Sequence, residues 1–154
     1  MAFKSMTKTV EQLLTDSNRI LADLIAVDVE LSGAINDDSN ARRQLREAEQ
    51  VLSLAESEIV TKAVLQAKDK VGPLAGLAVT SDAYKMSVAL LVAQAHAGAL
   101  QPIAHRVQKW QIESEAARVR LDQLTARFSA LRHASSLLAS MLAATGTENG
   151  EKLK

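Results

Sequence analysis

The sequence predicts an all-α fold: an elongated helical bundle or antiparallel coiled-coil hairpin with a long C-terminal helix. Three observations carry this. Aromatic residues are 3% of the chain and Pro numbers 2, while apolar residues reach 47%, so the apolar mass is chiefly Leu, Ala, Val and Ile. Apolar positions recur on alternating steps of three and four, the period of an amphipathic helix. The longest such run, about 40 residues at 1.5 Å each, extends roughly 60 Å. That is too long for a globule of 16.5 kDa to wrap, so elongation is expected.

The first block runs from Thr9 to Ile35, with Val10, Leu14, Leu21, Leu24, Leu31 and Ile35 on one row. Leu13, Ile20, Val27 and Ala34 form a second row beside it, which makes the apolar face broader than a two-stranded seam needs. Asp28 interrupts the pattern at an inward position, as Ser114 does later, and such polar interruptions can fix register. Residues 33–40, Gly-Ala-Ile-Asn-Asp-Asp-Ser-Asn, gather side chains that compete for backbone hydrogen bonds. They predict a helix break, with Asp38 or Ser39 capping the next helix.

The second block, Ala41 to about Lys70, places Leu45, Ala48, Leu52, Ala55 and Ile59 on one stripe. Val71-Gly72-Pro73 predicts a firm stop, since Pro lacks a donor and disfavours helix in the residue before it. A short uncharged connector leads to Ser81 and Asp82, a cap and an acid suited to the start of a third block. Gly98 and Pro102 are its interruptions, and a kink in one long helix is expected there in preference to a helix end. Beyond them Ile103, Val107, Trp110, Ser114, Ala117, Leu121, Leu124, Phe128, Leu131, Ser135, Leu138 and Leu142 keep a heptad repeat. The expected domain is 1–144, a single bundle, with 145–154 a disordered tail rich in Thr, Gly and Glu.

The run Met86–Ala104 is uncharged but contains Gln94, His96, Gln101 and Pro102, so it reads as a buried helix and no membrane partner is expected. The N-terminus lacks the apolar core of a signal peptide, which makes the cytoplasm of the producing cell or of a host cell the expected location.

Lys and Arg total 18 against 18 Asp and Glu, so no global field favours nucleic acid or anionic lipid. Locally the balance is uneven: Glu11 to Asp38 is acidic, whereas the last helix is basic through Arg118, Arg120, Arg127 and Arg132. Opposite ends of the sequence should attract. In an antiparallel arrangement of the second block on the last helix, Glu49 and Glu56 flank one seam, Arg118 and Arg132 the other, and Glu58 reaches Arg120 or Arg127. Asp16, Asp23, Glu30 and Asp37 recur every seven residues, a stripe read as a solvated outer face or, alternatively, as an acidic surface that occludes a basic groove on a target protein.

The last helix has a further row, Ile112, Ala116, Val119, Ala126, Ala130 and Leu137, interrupted by Gln123 and His133. A helix with two apolar rows is either the centre of its own bundle or a contact for a second copy, and self-association is the expectation. Trp110 and Phe128 read as core anchors, with Trp110 the alternative candidate for a partner hot spot.

No catalytic, cofactor or metal site is proposed from the sequence. Cys is absent, and His96, His105 and His133 lack a second ligand at helical spacing. Asp37-Asp38 and Glu113-x-Glu115 are read as cap and solvent-face positions, and His96 as a satisfied core histidine. The expected function is a non-enzymatic helical protein-interaction module, an assembly component, adaptor or inhibitor that forms homo-oligomers. Alternatives are the acidic-face inhibitor or nucleic-acid mimic, and a nucleic-acid accessory protein using the Arg-rich last helix.

Overall fold

The structure, a computed structural model, describes the backbone of residues 8–151 and the side chains of residues 8–146. It is all-α: α1 spans Val10–Lys68, α2 Asp82–Ala97 and α3 Gln101–Glu151, with no strand among the described residues. α1 opens on a reciprocal cap. The Gln12 N–H donates to Thr9 Oγ1 at 3.3 Å and the Thr9 N–H donates to Gln12 Oε1 at 3.0 Å, which satisfies two otherwise orphan donors.

The predicted break at residues 33–40 is absent: α1 is continuous for 59 residues. Turn preferences of Gly, Asn and Asp amount to about 1 kcal/mol or less apiece, and here packing outweighs them. Ala34, Asp38 and Ala41 face inward and are buried, while Asn36, Ser39 and Asn40 point to solvent, where they need no alternative backbone bonding. Asp38 is therefore no cap. It sits mid-helix, with Oδ2 paired to the Arg42 guanidinium one turn on at 2.9 Å.

α1 ends where predicted, in a motif that satisfies its last carbonyls. The Val71 N–H donates to the Gln66 carbonyl at 3.0 Å and the Lys70 N–H to the Ala67 carbonyl at 3.1 Å. This closure requires a left-handed residue between them, and Lys70 takes it with φ of 58°. Gly72 follows at φ of 89°, with a Cβ there meeting Gln66 Oε1 at 2.8 Å. In the connector Leu74 is buried at 1% exposure and anchors a segment largely open to solvent. Ser81 caps α2 as expected, its Oγ accepting from the Tyr84 N–H at 3.2 Å.

At residues 98–100 the helix ends; it does not kink. α2 and α3 are bent by 78° across this break. The Leu100 N–H donates to the Ala95 carbonyl at 2.8 Å, the Leu100 side chain is buried, and Pro102 falls in the first turn of α3, where its missing N–H costs no helical bond. The expectation of a buried helix over Met86–Ala104 also changes: α2 has no fully buried residue, and Leu100 is the one buried side chain of that run. At the other end, α3 continues through Glu151 where a disordered tail from Thr145 was expected, and 152–154 lie outside the described residues. Thr145 is half-buried at the next heptad position after Leu138, and its hydroxyl donates to the Leu142 carbonyl at 2.9 Å.

The chain divides into two compact units. One combines α1 up to Asp37 with α3 from Arg118; its core includes Leu13, Val27, Ala34, Leu124 and Leu138. Arg120 reaches Asp37 at 3.6 Å, so α1 residues before that pair and α3 residues after it run in opposite directions. The other unit holds residues 38–117, with Ala41, Ala48, Ala63, Leu74, Leu100 and Val107 in its core. There His96 Nε2 on α2 meets Glu56 Oε1 on α1 at 2.5 Å.

Candidate interaction surfaces

Every member of the α3 heptad seam from Ile103 to Leu142 is buried or half-buried, including Trp110 and Phe128. Trp110 thus belongs to the seam, its ring also carrying Lys109 Nζ 5.4 Å from the centroid. The other row of α3 lies on the opposite side of the helix. Ile112, Ala116, Val119, Ala126, Ala130 and Leu137 are all exposed, as are Gln123 and His133 between them. α3 therefore has two apolar rows, one covered within the chain and one open.

α1 repeats this arrangement with a change of register. Its buried apolar positions are Leu13, Val27, Ala34, Ala41, Ala48 and Ala63, with Ile20, Leu24, Leu31, Leu45 and Leu52 half-buried on the same side. Of the row put first from sequence, Val10, Leu14, Leu21 and Ile35 are exposed, and only Leu24 and Leu31 turn inward. Asp28 is exposed, so the inward polar interruption of α1 is Asp38 in its place. The carboxylate of Asp38 is at 10% side-chain exposure, and its Oδ1 is buried without a hydrogen-bond partner. Ser114, the other proposed interruption, is half-buried.

The acidic stripe flanks the buried seam and is not a free outer face. Asp16 and Asp23 are half-buried, Glu30 and Asp37 exposed. Lys8 Nζ donates to Asp16 at 2.5 Å, and this bond, with the nearby charges of Lys8 and Arg19, outweighs partial burial and holds the Asp16 carboxyl below its ordinary value. Asp37 is committed to Arg120. The ends of the sequence do attract, but the partner of the basic last helix is the first acidic block. Glu58 pairs with Lys62 at 3.8 Å, Glu56 with His96, and Arg118 with Asp122 at 3.5 Å. The expected pairing of Glu58 with Arg120 or Arg127 is not formed, and no ion pair among the described residues involves Glu49, Arg127 or Arg132. Glu49, Glu56 and Glu58 belong to the unit of residues 38–117, and the four arginines to the unit that includes residues 118–154.

His96 is satisfied by Glu56, forty positions away in sequence, at the half-exposed surface between α1 and α2 and not in a core. Nothing in the local sequence announces that pair. Among the described residues no group of three or more His, Asp or Glu side chains could hold a metal ion. Among the described residues no single helix is long and apolar enough to cross a membrane, and α2 with α3, as a bent pair, meets the length and composition of a span. No family model matches this chain, and neither curated proteins nor solved structures give a significant match.

Proposed function

We propose that the protein is a helical interaction module that self-associates and acts through protein contacts, as an assembly component, adaptor or inhibitor, without chemistry of its own. The observation that carries this is the open apolar row of α3 set against its covered seam. Ile112, Val119 and Leu137 are 61%, 55% and 57% exposed. Large apolar side chains scattered singly on a surface are ordinary, but a row at heptad spacing along one helix is what a packed neighbour covers. The acidic-stripe alternative is weakened because Asp16 and Asp37 already have basic partners inside the chain. Light scattering coupled to size exclusion tests the reading. The expected result is a mass at a multiple of 16.5 kDa that falls on dilution; a monomer at every concentration refutes self-association.

A further inference from the structure

The open row on α3 has a counterpart on α1. Leu14, Asn18, Leu21, Ile25, Asp28 and Ser32 succeed one another on steps of four and three, and all six are exposed. On α3, Leu137, His133, Ala130, Ala126, Gln123 and Val119 take the same steps in reverse, and all six are exposed too. Laid antiparallel, the two rows match layer by layer. Leu14 meets Leu137, Leu21 meets Ala130 and Ile25 meets Ala126, so a large side chain faces a small one in two of the three apolar layers, which lets the helices approach closely. The polar interruptions coincide as well: Asn18 falls opposite His133 and Asp28 opposite Gln123, each pair combining hydrogen-bond donors with acceptors. Ser32 falls opposite Val119, and its hydroxyl already donates to the Asp28 carbonyl at 3.1 Å, so no unmet donor enters the contact.

The charges agree with this pairing. The only ionised side chain in the α1 row is the acid Asp28; on α3 the acid next to Gln123, Asp122, is already paired with Arg118 at 3.5 Å, which leaves Arg127, one turn along from Gln123, to meet it. Within one chain these rows cannot meet, because α1 before Asp37 and α3 after Arg118 already pack through their other faces.

We infer that a second copy of this chain covers the surface: the outer row of α1 from one copy packs antiparallel on the outer row of α3 from the next, in the register Leu14–Leu137, Asn18–His133, Leu21–Ala130, Ile25–Ala126 and Asp28–Gln123. The inference rests on the self-association reading and adds to it the identity of the two surfaces. They are different surfaces, so the interface is head to tail. Each added copy leaves one row free at either end, and the assembly closes as a ring or grows as a filament.

The test uses two full-length variants, Leu21→Asp and Ala130→Glu, each at an exposed position so that helicity by circular dichroism is unchanged. Alone, each remains monomeric where the unaltered chain assembles, because every contact needs both rows. Mixed in equal amounts they form a species of two chains and nothing larger, since one intact α1 row meets one intact α3 row and both remaining rows are blocked. A size exchange checks register without added charge: Leu21→Ala weakens association about tenfold, and adding Ala130→Leu in the same chain restores it. If the unaltered chain assembles but the single variants assemble equally well, or the mixture stays monomeric, this interface is refuted and self-association stands. If the unaltered chain is monomeric throughout, both fall.

Discussion

Asp38 lies on the row Leu24, Leu31, Asp38, Leu45 and Leu52, where every other member is apolar, and it is buried at 7% exposure. Replacing it with Leu is expected to stabilise the chain. One carboxylate oxygen is buried with no partner, a state that costs about 1–3 kcal/mol. The compensating contact is a single bond to Arg42, whose side chain is 45% exposed; a helical pair of that spacing contributes about 0.2–0.5 kcal/mol. The Leu side chain adds apolar burial of about 1.5–3 kcal/mol but is larger, and filling a packed layer costs about 1–3 kcal/mol, so those two contributions largely offset. The net expectation is a gain of about 0.5–3 kcal/mol, in line with the outcome of exchanging other buried charged groups for hydrophobic ones. Urea unfolding monitored by circular dichroism, at one fixed protein concentration so that association does not shift the midpoint, measures it. Asp38→Asn, which keeps the shape and removes the charge, is expected to give a smaller gain. An unchanged or lowered midpoint for Asp38→Leu refutes the reasoning, because it means that Oδ1 holds a bond worth more than its burial costs.

Leu74→Ala, at a position 1% exposed in the connector, is expected to lower stability by about 2–5 kcal/mol in the same unfolding assay, against less than about 0.5 kcal/mol for the exposed neighbour Val79→Ala. At the end of α1 two nearby substitutions should act in opposite directions: Lys70→Gly raises stability by about 1 kcal/mol by relieving the left-handed backbone, and Gly72→Ala lowers it by about 1–2 kcal/mol by imposing the same strain beside Gln66. Because the Asp16 carboxyl is held below its ordinary 3.8 by Lys8, the contribution of this pair to the first turns of α1 is complete above that value and is lost as pH falls through the lowered folded-state value. The protection of amides in α1 around Asp16, taken relative to their intrinsic exchange rate at each pH, should therefore drop at that acid edge in the unaltered chain, and Asp16→Asn should abolish the step.

The α3 seam was legible in full because its heptad never skips between Ile103 and Leu142, and a continuous period outweighs any single polar member such as Ser114 or Ser135. On α1 the two rows read as one broad apolar face, and the pattern does not say which part of it is covered. Leu13, Ile20, Val27 and Ala34 stand one residue before Leu14, Leu21, Asp28 and Ile35, and the two rows differ markedly in apolar size only at Ala34 and Ile35. Size does not choose between them, and the structure buries the row that remains apolar or small through Ala41 and Ala48. The missing break has a related cause: local preferences over residues 33–40 are additive only while nothing packs on them, and Ala34 and Ala41 are packed. The kink and the helix end at Gly98 and Pro102 differ by the burial of Leu100, which no pattern in the segment displays. Thr9-Val10-Glu11-Gln12, by contrast, was a readable capping box that periodicity passed over. The acidic first block and basic last helix indicated that those ends would meet, but the particular pair Asp37–Arg120 depended on the register of two distant helices.

Two superposed heptad rows on one helix also give the unusual composition a physical reason. A helix that packs on two opposite sides cannot carry bulky aromatic residues on both without forcing its neighbours apart, and a row of Ala on one side lets a second backbone approach. α3 shows this division: its covered seam holds Trp110, Phe128 and most of the Leu residues, and its open row alternates Val119 and Leu137 with Ala116, Ala126 and Ala130. Small residues contribute little hydrophobic free energy apiece, so such a contact has to be long to be stable. The proposed register takes that length from within the two continuous helices, from Leu14 to Ser32 on α1 and from Val119 to Leu137 on α3. A break at residues 33–40 would have left that row whole, since it ends at Ser32; what the register requires of α1 is an unbroken helix from Leu14 to Ser32, which α1 provides.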